Sequence, residues 1–400
     1  MKKKILLSAF LASSLFADAE LDAMKEQLQQ QKLITQKLEA KLDLLTRKVE
    51  TKTENVNTSA SFSQNAYLPD IALILNMSAV GRDMKNSDYE KLSIPGFIDE
   101  GELHLPFNKN RGFNLNYAEV AMHSVVDPYF EAFANFHLHP DEFEIGEAYV
   151  QTTSLPYSLR VKAGKFKSNF GRINSKHQHS WHFDAQPIIY KALFAPDSIS
   201  DAGIQLQWIA PTDNYLMFGV EAMQGTNGRS FGDTDKNNLY VGYVKSSLDV
   251  GDDLSILGGL SLAHGTNVTN HTTDVYGVDL TLREQLDSYS SLIWQSEFLQ
   301  RDKNDGSKTT KQAGLYSELI YQYNNNYSTG VRYDAITKNS VANNLNKYTA
   351  MVEYKPFPMS RLRLSYFYDK TKELNGERVG INEVMLSLNI AAGAHGAHDY

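Results

Sequence analysis

The chain has 400 residues, no cysteine, and a formal net charge of -8 from 39 basic and 47 acidic side chains. The absence of cysteine excludes disulfide frameworks and thiolate metal sites, and the acidic balance speaks against a nucleic-acid partner. Mean hydropathy is -0.40, and after the first twenty residues no run approaches the ~18 apolar residues a spanning helix needs, which excludes a helical membrane protein. A transmembrane barrel stays open, because its strands alternate lipid-facing and lumen-facing side chains and so keep the mean low. The 22 Tyr and 19 Phe suit the aromatic girdles of such a barrel.

The N-terminus reads as an export signal. Lys2, Lys3 and Lys4 precede an apolar stretch from Ile5 to Phe16, and Ala17-Asp18-Ala19 supplies small residues for cleavage after Ala17 or Ala19. Residues 1–19 are therefore expected to be a secretory signal peptide, and with no cysteine following, not that of a lipoprotein. In residues 20–52, Leu21, Met24, Leu28, Leu38, Leu42, Leu45 and Val49 recur at spacings of three and four, with Gln31 and Thr35 in the seam between. That pattern predicts a periplasmic coiled coil. A helix of ~30 residues is roughly 45 Å long and marginal alone. Its seam calls for partners, so self-association is expected, with Gln31 and Thr35 fixing register. A helix lying on the barrel or on peptidoglycan is the alternative. Residues 53–66, rich in Ser, Thr and Asn, read as a linker.

From Tyr67 to the end the pattern has period two. Phe130, Ala132, Ala134, Phe136 and Leu138 alternate with Glu131, Asn135, His137 and His139. Tyr348, Ala350, Val352 and Tyr354 alternate with Lys347, Thr349, Met351 and Glu353, and Leu362, Leu364, Tyr366 and Tyr368 with Arg361, Arg363, Ser365 and Phe367. Tight turns such as Gly251-Asp252-Asp253 and Asn324-Asn325-Asn326 alternate with longer polar stretches at 225–237, 265–272, 301–311, 336–345 and 370–379. Short turns at one end and long loops at the other mark a transmembrane barrel. Template matching gives about sixteen strands, starting near 71, 114, 128, 143, 158, 202, 215, 238, 254, 273, 290, 312, 327, 346, 360 and 380. The fold class is all-β, a transmembrane antiparallel barrel over 67–400, and sixteen strands leave an aqueous lumen. A soluble β-sandwich or β-helix would need a dry core, whereas both faces here are ordered. Tyr400, with Val384, Leu386, Leu388 and Ile390 upstream in one parity, fits a barrel assembly signal.

Gly164-Lys165-Phe166-Lys167 is followed by Asn169-Phe170-Gly171, then by Phe194-Ala195-Pro196-Asp197 and Asp201-Ala202-Gly203-Ile204-Gln205-Leu206. Over 158–210 the chain resembles the phosphate-selective porin family, in which such a segment folds into the pore. Ser168-Asn169 stands where that family has Pro, and Asp197 and Asp201 where Arg is common, making the loop exit more acidic. The coiled coil and the His-Gly-Ala-His-Asp-Tyr ending also resemble outer-membrane proteins of epsilon-type proteobacteria, some labelled zinc-regulated TonB-dependent outer-membrane receptors. Such receptors need ~22 strands and a plug domain, more than residues 67–400 supply.

A channel does its chemistry through charge and width at its constriction. The segment 167–201 is too long for a turn, and long loops in compact folds are usually functional. The resemblance implies that it narrows the lumen. Arg160, Lys162, Lys165, Lys167, Arg172 and Lys176 place six cations and no acid within a short stretch, which would attract anions. Arg332, Arg361 and Arg363 share the polar face of their strands with Glu131, Glu147, Glu221, Glu297 and Glu353, so the lumen is of mixed charge. His177, His179 and His182, with Trp181 between, form a weak metal candidate, since three neutral imidazoles suit a transition metal. His395 and His398 are weaker still. There is no Gly-x-Ser-x-Gly, Walker loop or His-Glu-x-x-His, so neither an enzyme nor a cofactor is expected. The expectation is a porin in the bacterial outer membrane, surrounded by its lipid and passing small hydrophilic solutes, with an anion or phosphate preference. The alternatives are a metal- or ligand-binding receptor and a tether from outer membrane to peptidoglycan through the coiled coil.

Overall fold

The computed structural model of the protein describes residues 69–103, 107–139, 143–194, 198–232, 236 and 238–393. The signal peptide, coiled coil, linker, Asp197, His395, His398 and Tyr400 lie outside the described residues.

Sixteen strands follow one another: β1 (Asp70–Arg82), β2 (Gly112–Asp127), β3 (Phe130–Leu138), β4 (Phe143–Thr152), β5 (Leu159–Lys167), β6 (Ser200–Ile209), β7 (Tyr215–Met223), β8 (Leu239–Val250), β9 (Leu254–Thr266), β10 (Thr272–Gln285), β11 (Ser291–Asn304), β12 (Thr309–Gln322), β13 (Tyr327–Lys338), β14 (Leu345–Tyr354), β15 (Ser360–Leu374) and β16 (Glu377–Gly393). Each pairs antiparallel with its sequence neighbours, and β1 closes on β16 with Ala72 opposite Gly393 and Arg82 opposite Glu383. The expected starts agree with these. The largest offsets are at β12, 309 against 312, and β16, 377 against 380. Closure removes the open sheet edge that hydrocarbon would not tolerate.

The period-two pattern sorts side chains as the alternation requires. Leu260, Leu262, Val352, Leu364, Val384 and Leu386 are exposed on the outside, while Glu353, Arg363, Ser365, Ser387 and Asn389 are buried inside. An apolar exterior over a polar interior is the inverse of a soluble core and fits lipid outside. Exposed aromatics gather toward both ends. Tyr129, Tyr157, Tyr215, Tyr289, Tyr323, Tyr327 and Phe357 sit at the short-turn end, and Phe113, Phe143, Tyr240 and Tyr348 at the other.

The loop lengths depart from expectation. Strands extend through most of the polar stretches, leaving only 267–271, 305–308, 339–344 and 375–376 as connections. The long connections are 83–111, which carries a short helix α1 (Asn86–Tyr89), then 168–199, which carries α2 (Ile188–Phe194), and 224–238. Polar residues extend the strands because a strand rising past the membrane keeps its ladder while both faces meet water.

These three loops turn inward. Leu92, Ile94 and Ile98 from the first, Phe170, Ile173, Ile189, Leu193 and Phe194 from the second, and Phe231 from the third form one buried cluster with lumen-facing Val241, Val275 and Leu299. Sixteen strands alone would leave an aqueous lumen. In this chain much of that space is occupied, and burying each Phe or Ile contributes about 1.5–3 kcal/mol toward holding the loops in place.

Candidate functional site

The segment 168–199 is the centre of the site. Asn174 clasps its two ends: its side-chain amide donates to Ser168 O at 2.8 Å and Ile199 O at 2.9 Å, and its Oδ1 accepts Ile199 N–H at 2.9 Å. Between these ends the loop crosses the lumen and meets the wall on many sides.

Its backbone donors end on wall carboxylates and hydroxyls. Lys167 N–H donates to Glu147 Oε1 at 2.7 Å, Asn169 N–H to Glu221 Oε1 at 2.9 Å, Gly171 N–H to Ser261 Oγ at 2.9 Å and Arg172 N–H to Glu297 Oε1 at 3.2 Å. The N–H of Ile188, at the start of α2, donates to Asp334 Oδ1 at 2.9 Å. A wall aspartate thus takes the place of an N-cap residue, satisfying a donor the short helix cannot satisfy itself. The Tyr190 hydroxyl donates to Glu297 at 2.7 Å.

Charged side chains complete the attachment. The Arg172 guanidinium holds Asp279 of β10 at 2.6 and 2.7 Å. His182 Nδ1 lies 2.6 Å from Glu318 of β12. Asp184 is buried against Arg363 at 3.0 Å and Arg361 at 3.5 Å, and accepts the Ser387 hydroxyl at 2.9 Å. Arg361 also donates to His179 O at 2.8 Å, and Arg332 to Ala185 O at 2.8 Å. Arg363 is shared with Glu353, and Arg332 with Asp334. Buried pairs of this kind are weak evidence for stability, but removing one partner is costly. A cavity of about 20 Å³, room for roughly one water, remains between loop and wall beside Lys176, Trp181, His182, Glu318 and Arg332. Burial pushes the Lys176 ammonium down, and takes that of Lys191 down to about 7 with Lys372, Lys347 and Arg229 nearby. The Tyr190 phenol is pushed well up by burial and by Glu297.

Gly171 sits where the loop enters. Its φ is +63°, and a Cβ there would fall on Glu297 Oε1 and the Tyr190 hydroxyl. Gly171→Ala is expected to lower stability by about 1–3 kcal/mol through the left-handed backbone and the displaced carboxylate. Urea unfolding of the reconstituted barrel measures this, and an unchanged midpoint refutes it.

The six cations expected to act together are split by the structure. Arg160 and Lys162 are on the lumen parity of β5, where Lys162 Nζ lies 4.5 Å from the Tyr149 ring centre. Lys165 has the opposite parity, paired with Ala148 and Ala202, and its ammonium reaches Ile145 O at 2.6 Å and Glu144 at 3.5 Å. Lys167 ends the strand, Arg172 is bound to Asp279, and Lys176 lines the small cavity. Arg332, Arg361 and Arg363 lie on the inner face of their strands, and all three hold the loop. The histidine motif divides too: His182 goes to β12, while His177 and His179 go to β2–β4 and meet Glu119 and His137. Sequence reasoning missed Asp184, Glu119 and the loop 83–111. A lone Asp in a loop and a lone Glu in a strand carry no local signal.

No family model matches the chain. A protein of Aquifex aeolicus (strain VF5), described as an uncharacterized protein, is 39% identical over 384 residues, covering 85% of this chain and 81% of that one. The chain belongs to the family of that Aquifex protein. Its fold is similar to those of outer-membrane porins and channels. An anion-selective porin from Comamonas acidovorans superposes with a TM-score of 0.55 at 11% identity, covering 81% of this chain and 99% of that one. The outer membrane channel DcaP of Acinetobacter baumannii gives 0.53 at 11%, covering 81% and 97%. The trimer form of OmpT, an outer membrane protein of Vibrio cholerae, gives 0.53 at 11%, covering 81% and 99%. At such identities the likeness is one of fold: this member of the Aquifex protein's family is a closed sixteen-stranded barrel of the outer-membrane porin type.

Proposed function

We propose that the protein is an outer-membrane channel for small hydrophilic solutes, exported by residues 1–19 and carrying its coiled coil on the periplasmic side as a homotrimer. It has no catalytic role in this reading. The observation that carries it is the loop 168–199, laid across the lumen of a closed barrel and fastened to the wall by charged and polar groups rather than by apolar contact alone. A purely structural filling would be better made of apolar residues, because buried charges repay their desolvation poorly. Charged contacts exchange readily with water, so a wall built from them stays compatible with a hydrated path when the loop shifts. The similarity to an anion-selective porin and the lumen cations Arg160 and Lys162 support an anion preference. The carboxylates facing Arg172, Arg332, Arg361 and Arg363 cancel much of the remaining positive charge, so the preference is expected to be weak.

The test is planar-bilayer conductance of the purified mature protein across a KCl gradient. Small discrete steps with a reversal potential slightly toward the chloride value are expected. A folded, heat-modifiable barrel that passes no current at any voltage refutes the channel, and a cation-biased potential refutes the preference.

A further inference from the structure

We infer that Glu119, His137, His177 and His179 form a binding site for one divalent late transition-metal ion such as Zn2+, joining the lumen loop to the barrel wall. Glu119 lies on β2 and His137 on β3, while both other histidines belong to the loop. Glu119 and His177 are buried, at 2% and 7% exposure.

The distances are what single out this cluster. His137 Nε2 and His179 Nδ1 stand 3.6 and 3.4 Å from Glu119 Oε2, and His177 Nδ1 stands 3.8 Å from Glu119 Oε1. Three imidazoles thus ring one carboxylate at separations longer than good hydrogen bonds. Two ligands held about 2.0–2.1 Å from one tetrahedral ion lie roughly 3.3–3.4 Å apart, so each imidazole stands near coordinating distance of an ion that Glu119 holds, with His179 as the fourth ligand from the loop. Candidate ligand atoms of Glu119, His137 and His177 already lie within 4.8 Å of one another.

The surroundings prepare the nitrogens. His177 Nε2 is 2.6 Å from Glu147 Oε2, which places its proton on Nε2 and leaves Nδ1 facing Glu119. His137 Nδ1 lies 3.9 Å from Glu144, leaving its Nε2 toward the same point. Carboxylates behind ligating imidazoles fix tautomer and raise basicity. The Asn135 amide nitrogen lies 3.3 Å from Glu119 Oε1 and 3.2 Å from His177 Nδ1. On metal binding it keeps the carboxylate and yields Nδ1 to the ion. Three imidazoles and a carboxylate suit Zn2+, Cu2+ or Ni2+ rather than Mg2+ or Ca2+, which take oxygen ligands. The ion would staple the loop to β2 and β3, two strands from the Asp184 attachment on β15 and β16.

The experiment uses the full chain folded in detergent, stripped with chelator and titrated with Zn2+ by calorimetry and with Co2+ by visible absorption. One ion per chain and the intense spectrum of four-coordinate Co2+ are expected. Glu119→Gln and His137→Ala are expected to weaken binding at least about tenfold, with folding checked by heat-modifiable mobility. Failure of the folded chain to bind stoichiometrically overturns the site. So does a six-coordinate Co2+ spectrum on the unaltered chain, which needs no variant. Binding that survives both substitutions, or is lost instead with His182→Ala or with His395→Ala and His398→Ala together, also overturns it. Because the readout is binding, its failure is separate from failure of the channel reading.

Discussion

Asp184→Ala is expected to raise the conductance of the folded barrel. Asp184 is a buried carboxylate that faces two buried guanidinium groups, Arg363 at 3.0 Å and Arg361 at 3.5 Å. It also takes the hydroxyl of Ser387. Arg363 lies on β15 and Ser387 on β16, so this one side chain fastens the middle of the loop to two strands. Without it, both arginines are left with Glu353 as their paired carboxylate. Breaking a buried pair from one side costs about 3–5 kcal/mol. If about 3 kcal/mol of that falls on loop docking, the balance between docked and undocked loop shifts by about two orders of magnitude. The barrel itself keeps its ladders and is expected to fold, because Asp184 takes no part in the backbone hydrogen bonds between strands. Single-channel recording is the primary measurement, and limited trypsin cleavage after Arg172 or Lys176 is the second. Asp184→Asn, which keeps shape and loses charge, is expected to lie between. An alanine variant with wild-type conductance and no new cleavage shows that the loop is not held this way.

Leu386→Arg is expected to cost about 2–4 kcal/mol of barrel stability in a bilayer. Leu386 sits in the middle of β16, opposite Leu364 on one side and Ala79 on the other, and is 43% exposed. In a soluble protein, an arginine on an exposed strand face shifts stability by less than about 0.5 kcal/mol. At the middle of a lipid-facing strand it must leave water for hydrocarbon. Val341→Arg, in the connection 339–344 and 67% exposed, is the control and is expected to be neutral. Urea unfolding in lipid vesicles measures both. Equal effects at the two positions show that the apolar exterior does not face lipid.

The parts of the molecule that the sequence made legible share one cause. A barrel strand repeats a single choice, lipid or lumen, at every second residue, so the chemistry of the surroundings is written into the local pattern. Sixteen strands were found within three residues of their starts for that reason, and the same alternation separates Glu353, Arg361 and Arg363 from their apolar neighbours. Gly171 stands inside Asn169-Phe170-Gly171, part of the run that carries the resemblance, and the structure supplies the reason for glycine there, a left-handed backbone against Glu297. Where the pattern is not periodic, reading failed. The loop 83–111 carries its apolar residues without helical or strand spacing, since they meet a partner surface formed by other loops. Lys165 was grouped with Lys162 by nearness in the chain, though three residues along a strand is an odd step and turns the side chain outward.

Tertiary structure decided everything that depends on distant segments meeting, at the seam of the barrel or inside its lumen. Asp184 and Arg363, or Arg82 and Glu383 at 2.6 Å, are far apart in sequence, and neither partner announces the other. Closure of the sheet brings them together, because it fixes the diameter that the loop must span. The histidines show the division most sharply. Their sequence motif suggested that His177, His179 and His182 act as one set. The loop's path instead sends His182 to Glu318, while the wall supplies Glu119 and His137. Local chemistry set which residues can ligate, pair or face lipid. The long-range geometry of a closed barrel with a loop folded through it set which of them do so together.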